Sequence, residues 1–193
     1  MPFRFAKENA DNPNRVRNRI QQLVATNALP SLKGVAFETS ALNHPHTVYG
    51  LHAGSFINGK SLADSAHHNG QRYIVHSAGQ PYLAAEIQKH TSAPGGHIVH
   101  LNIGQFVAGT SHALKQLAQL PPVKFGSFEA RLLRSFHLYF VGIWLKSDTG
   151  EHDDLIYPLP GGAPAPFQAG QLYSLSDFRN NINILVQKRR TAP

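Results

Sequence analysis

Residues 70–88 read GQRYIVHSAGQPYLAAEIQ. The run RYIVH, 72–76, combines aromatic and β-branched residues and predicts a strand. Ser77-Ala-Gly-Gln80 is turn-like. Pro81 suits the first turn of a helix. Leu83 and Ile87 then fall one helical turn apart, beside small Ala84 and Ala85. This predicts a helix from Pro81 to about His90. Separate strands and helices on either side make the chain α+β, with no internal repeat and one domain over 1–193.

Upstream, Thr47 to His52 predicts a short strand that ends in His52-Ala-Gly-Ser55. Gly54, Asn58 and Gly59 make the loop after it. Residues 60–71 are polar and read as loop or a short helix. Lys33 to Thr39 alternates, with Val35 and Phe37 on one face, and predicts another strand. Asn12-Pro13 opens a helix over about 13–27, with Val16, Ile20, Leu23 and Val24 at helical spacing. Residues 1–12 read as a flexible lead.

Downstream, His97 to Ile103 alternates as a strand. Ser111 is placed to cap a short helix that carries Leu114 and Leu117 and stops at Pro121-Pro122. FEARLLRSFHLYFVGIWLK, 128–146, predicts two strands or one long bent one, with Trp144 in the core. A helix over Phe128–Phe136 is the alternative. SDTGEHDD, 147–154, is a hairpin loop leading into Leu155–Tyr157. Residues 158–171 are rich in proline and glycine and read as a surface loop. Ser176-Asp177 caps a last helix carrying Phe178, Ile182, Leu185 and Val186, and Lys188 to Arg190 suit its C-terminal dipole. Residues 191–193 form a tail.

The composition, 41% apolar and 15% charged over 193 residues, is that of a globular chain with a real core. Cysteine is absent, which excludes disulfides and thiolate metal sites. The first residues lack the apolar stretch of a secretory signal. No window approaches the roughly 20 apolar residues of a membrane span. The expectation is a soluble protein, cytoplasmic or exported by a signal-independent route. The net charge of +7 favours polyanionic partners or phosphate-bearing ligands. Arg15, Arg17 and Arg19 near the start, and Lys188 to Arg190 near the end, either form such a surface or are ordinary solvated charge.

Histidine is the anomaly. There are twelve, and ten lie between His44 and His112. His44-Pro-His46 would place two imidazoles on one face of a strand and is the alternative metal site, with a carboxylate such as Asp64 or Glu38 completing it. Surface or hydrogen-bonded histidine is the plain reading of the same residues. His97 and His100 would point to opposite faces. No GxSxG, HExxH or P-loop is present.

The order of elements and motif residues resembles the ADP-ribosyltransferase superfamily over about residues 47–146. Members with a His-Tyr-Glu pattern carry a His at the end of an early strand, a Tyr-bearing strand followed by Ser and Ala, and a Glu by a late apolar strand. Here these are His52 in HAGS, Tyr73 in RYIVHSAG with Ser77-Ala78 after it, and Glu129 in SFEARLLRSF. The resemblance implies a single α+β domain of split antiparallel or mixed sheets with flanking helices and a cleft for NAD. It implies that His52 binds the nicotinamide-side ribose with Ser55 nearby, that Tyr73 stacks on nicotinamide with Ser77 alongside, and that Glu129 binds a ribose hydroxyl and orients the acceptor. The implied activity is transfer of ADP-ribose from NAD to an unknown macromolecular acceptor, or NAD hydrolysis, as suits a toxin or effector. NAD is a substrate in this reading, and no metal is needed. Ala53 replaces the family's usual glycine, and Ser127 stands where arginine-directed members carry a second acidic residue or Gln.

The same residues have plain readings too. His52 is a polar strand end, Tyr73 a strand aromatic, and Glu129 a carboxylate paired with a nearby arginine. Two rival functions stand beside the first. One is a histidine-based enzyme, either a metal-dependent hydrolase or a metal-free nuclease with two histidines as acid and base. The other is a basic binding module that takes a polyanion through its terminal arginines.

Overall fold

The run 70–88 forms a hairpin of two strands. The structure, a computed structural model, describes residues 3–5, 7, 10–28, 30, 33, 35, 42–88 and 97–191. Ala66–Ser77 is β3 and Gln80–Gln88 is β4. They pair antiparallel from Gly70 opposite Gln88 to Ser77 opposite Gln80. The helix expected from Pro81 is therefore corrected to a strand. The reason is burial on both faces. Leu83, Ala84, Ala85, Glu86 and Ile87 are all buried, so apolarity does not alternate, and a short continuous run fits a central strand as well as a helix. Hydrogen bonding on both edges overrides the helix propensity of Leu, Ala and Glu. Ala78 and Gly79 make the turn at φ 49° and 72°, as a tight hairpin loop of matching twist requires.

The remaining strands are β1 (Phe3–Phe5), β2 (Leu42–Leu51), β5 (His97–Ile103), β6 (Phe128–Ser135), β7 (Phe140–Ser147), β8 (Leu155–Pro158) and β9 (Tyr173–Ser174). Among the described residues they form one sheet, in the order β5-β4-β3-β2-β6-β7-β8-β9, with β1 also paired to β6. The α+β character expected from the sequence is present. The expected split is not: two antiparallel halves are joined where Thr47–Gly50 of β2 runs parallel to Arg131–Arg134 of β6. Residues 128–146 are two strands, β6 and β7, in register from Phe128 opposite Ser147 to Ser135 opposite Phe140. Phe3–Phe5, within the expected flexible lead, pairs parallel with β6, and Phe3 is buried. The strand expected over Lys33–Thr39 lies outside the described residues, apart from Lys33 and Val35.

Among the described residues three long helices cover the sheet. α1 (Asn12–Ala25) buries Val16 and Ile20 against Tyr73, Val75, Leu83 and Ile87. α6 (Leu175–Thr191) buries Phe178, Ile182 and Leu185 with Trp144, Phe140 and Ile156. α4 (Gln105–Leu117) sits on the opposite face with Val107, Ala113, Leu114 and Leu117 against Ile74, Ala84, Leu132 and Ile143. α4 begins before the expected cap: Ser111 is a buried residue within it. The short helices are α2 (Ala53–Ile57), α3 (Leu62–Ser65) and α5 (Pro121–Lys124). Among the described residues no helix is long and apolar enough to cross a membrane.

Candidate functional site

His52 follows directly on the last residue of β2. Its backbone N–H donates to the Ser65 carbonyl at 2.8 Å, and its own carbonyl accepts from Phe56 N–H at 3.1 Å, which turns the chain into α2. The ring is exposed. Beside it stands His67 of β3, in register with Gly50 of β2. The two imidazole centroids are 5.8 Å apart, with the rings at 60°. Gly50 makes room for this pair. A Cβ there would lie 2.4 Å from His67 Cε1 and 2.5 Å from Nε2, closer than any real contact allows.

The two rings border a cleft of about 690 Å³. Its cationic side chains converge from distant parts of the sequence. Arg134 comes from the end of β6, and Arg189 and Arg190 from the end of α6. His137, Phe136 and Asn69 complete the polar and aromatic wall. Among the described residues no Asp or Glu lines it.

Arg134 is held from behind. Its Nη1 and Nη2 donate to Glu86 Oε2 and Oε1 at 2.9 and 2.6 Å. Glu86 on β4 is paired in register with Arg72 on β3, and Arg72 in turn with His46 on β2. All three are buried. The Arg72 guanidinium is pushed below its ordinary pKa by burial, against the pull of Glu86, and its Nε has no hydrogen-bond partner among the described residues. The Glu86 carboxylate is thus paired with Arg134 and attracts the Arg72 guanidinium only at longer range, and the excess is positive. His46 Nδ1–H donates to the His44 carbonyl at 2.6 Å. That leaves Nε2 as a buried acceptor without a partner among the described residues. Burial pulls the His46 pKa down to about 3, so the ring stays neutral.

The residues singled out in the sequence are dispersed by the fold. His52 borders the cleft, and Ala53 and Gly54 line it with it. Ser55 lies within α2 and is not part of the wall. Tyr73 lies seven residues along β3 from Ala66, the partner of Leu51, which is on the order of 20 Å at the usual strand rise. It is fully buried under α1, and its hydroxyl donates to Gln71 Oε1 at 2.9 Å. Ser77 ends β3, at the far end from His67. Glu129 accepts from Arg131 Nε at 2.6 Å. Arg131 is itself packed against the rings of Tyr49 and Trp144, at 4.9 and 4.8 Å from their centroids. Side chains alternate along β6, so Glu129 and Arg131 occupy the face opposite Arg134. His52, Tyr73 and Glu129 therefore do not meet in one cleft. For Tyr73 and Glu129 the plain structural reading describes what is found. His44 sits at φ 57°, at an irregularity in β2, and among the described residues no group of three His, Asp or Glu side chains is placed to hold a metal.

His67, Arg134 and His137 were not legible as site residues. His67 falls in the polar stretch that reads as loop or a short helix, and only the register of β3 on β2 brings it beside His52. In the sequence Arg189 and Arg190 read as a basic patch with no link to any histidine. Comparison of the chain with family models, curated proteins and solved structures gives no match.

Proposed function

We propose that the cleft binds the phosphodiester backbone of RNA and cleaves it with His52 and His67 as acid and base. The observation that carries this is the imidazole pair, 5.8 Å between centroids, in a cleft whose charged side chains are Arg134, Arg189 and Arg190. A neutral imidazole takes the proton of the ribose 2′-hydroxyl as its oxygen bonds to phosphorus. The phosphorus–O5′ bond breaks, and the other ring, protonated, gives its proton to the departing 5′ oxygen. The products are a 2′,3′-cyclic phosphate and a free 5′-hydroxyl. The arginines offset the charge that builds on the phosphoryl oxygens.

A second reading keeps the NAD chemistry implied by the family resemblance: ADP-ribosyl transfer to a macromolecule, or NAD hydrolysis. The presence of His52 at the mouth of a cleft of dinucleotide size favours it. It needs a carboxylate near the reacting ribose, and Glu129 is on the other face of the sheet with Arg131. The third reading, a basic binding module without chemistry, rests on the same arginines.

One experiment separates the three. The protein is incubated with a single-stranded RNA and, in parallel, with NAD, each with and without chelator. Cleavage to cyclic-phosphate ends that falls by roughly 10²–10⁴ in His52→Ala and in His67→Ala supports the proposal. NAD consumption with intact RNA would replace it with the second reading. Salt-sensitive RNA binding with neither reaction would leave the third.

A further inference from the structure

We infer that the β6–β7 turn is a base-stacking platform, so that the ligand of the cleft is single-stranded RNA rather than duplex. This rests on the reading of the cleft as an RNA phosphodiester site. The turn reads Phe136-His-Leu-Tyr139. Leu138, and Phe140 just after it, point into the core at 4% and 0% exposure. Phe136 and Tyr139 point out, at 72% and 70%. A turn that only closed a hairpin would be served by polar residues. Here two large aromatic faces are held in water, and Tyr139 is held at φ 54°, a backbone region that bulky residues avoid.

Each ring has an arginine on it. The Arg134 guanidinium carbon lies 4.9 Å from the Phe136 centroid, and that of Arg189 lies 4.6 Å from the Tyr139 centroid. Arg134 and Arg189 also line the cleft, and so does Phe136. The bidentate pair with Glu86 fixes Arg134, so Phe136 is backed by a rigid cation on one side. Its exposure leaves ring surface for a planar ligand. A groove of arginines that follows phosphates, beside aromatic rings at the spacing of a chain turn, is the arrangement that holds unpaired nucleotides. Duplex bases are stacked on each other and offer no free face.

The test is fluorescence anisotropy with a labelled single-stranded 2′-O-methyl oligoadenylate. It has no free 2′-hydroxyl and is therefore not cleaved by the route above. A duplex of the same length and a base-free sugar-phosphate oligomer serve as comparison probes. Phe136→Ala is expected to weaken single-strand binding by roughly 5- to 100-fold and to leave the base-free oligomer bound as before. Phe136→Trp is expected to restore it, and Tyr139→Ala to weaken it in the same direction. An unchanged melting temperature shows that these exposed residues do not act through the fold. Wild-type affinity in Phe136→Ala, or duplex binding as tight as single-strand binding, would overturn the platform. If Arg190→Ala then weakened every probe, the phosphate cleft would still stand. Stacking that depends on Phe136 in a protein that leaves RNA intact would keep the platform and remove the chemistry. No binding of any probe would overturn both.

Discussion

Arg134 and Glu86 form a bidentate ion pair across the sheet, from β6 to β4, although β2 and β3 run between their strands. Glu86 is 3% exposed and the Arg134 side chain 14%. The pair therefore ties the cleft to the middle of the other half of the sheet. It does so in a region that also holds the Arg72 guanidinium, buried and with its Nε unpartnered among the described residues.

Removing Glu86 leaves the buried Arg72 and the half-buried Arg134 without their counter-charge. Glu86→Gln is expected to lose about 3–5 kcal/mol of stability, read as a lower urea midpoint at an unchanged slope. Arg72→Met removes the cation with the poorer partners, and is expected to unfold at the same or a higher urea concentration. A large loss in Arg72→Met would show that Arg72 is a net contributor to the fold.

Gly50 controls His67 rather than the fold. Gly50→Ala places a methyl group within the space of the His67 ring, and the ring, at the end of a side chain, is what moves. The expected result is RNA cleavage reduced toward the level of His67→Ala, with a melting temperature close to wild type. Full activity in Gly50→Ala would mean that the His52–His67 pairing is not needed.

His46 makes stability depend on pH. Its folded pKa of about 3 lies below the ordinary value of 6.5, so between those values the unfolded chain binds the proton and the folded one does not. The stabilisation is complete above about pH 6.5 and is lost as pH falls toward about 3, at up to about 1.4 kcal/mol per pH unit. His46→Gln does not titrate. Urea unfolding at neutral and mildly acid pH is expected to show a smaller acid loss in the variant than in wild type. Parallel losses would remove His46 as the cause.

Asp154 closes the other half of the core. It is 1% exposed and accepts from Trp144 Nε1–H at 2.8 Å and from the Ser147 backbone N–H at 2.7 Å. Asp154→Ala strands both donors, and each buried donor without a partner costs about 1–3 kcal/mol. Calorimetric unfolding is expected to show a clear fall in melting temperature. Asp154→Asn, whose amide keeps one acceptor oxygen, is expected to lose less.

Much of the fold was legible where apolar residues have a clear period or clear punctuation. Phe178, Ile182 and Leu185 gave the last helix, Val16 and Ile20 the first, and the 128–146 run its strand character, though not the choice between two strands and one bent one. The stretch 81–88 was not legible, because a strand buried on both faces shows no period of two and its Leu, Ala and Glu residues favour helix. Of the site, His52 was legible as a residue at a strand mouth, and Arg189-Arg190 as charge.

The sequence by itself determined the composition of an α+β core, the positive charge and the supply of histidines. Each of these depends on residue type and on neighbours a few positions away. The tertiary structure alone decided which histidines and arginines share a cleft. His52 and His67 are joined by the register of β3 on β2, Arg134 by the parallel contact of β6 with β2, and Arg189 by the packing of α6. Such pairings are set by hydrogen bonding between distant strands and by burial on both faces of the sheet. The same long-range contacts put Tyr73 under a helix and turned Glu129 toward Arg131, so residues that looked like one constellation in the chain were separated in space.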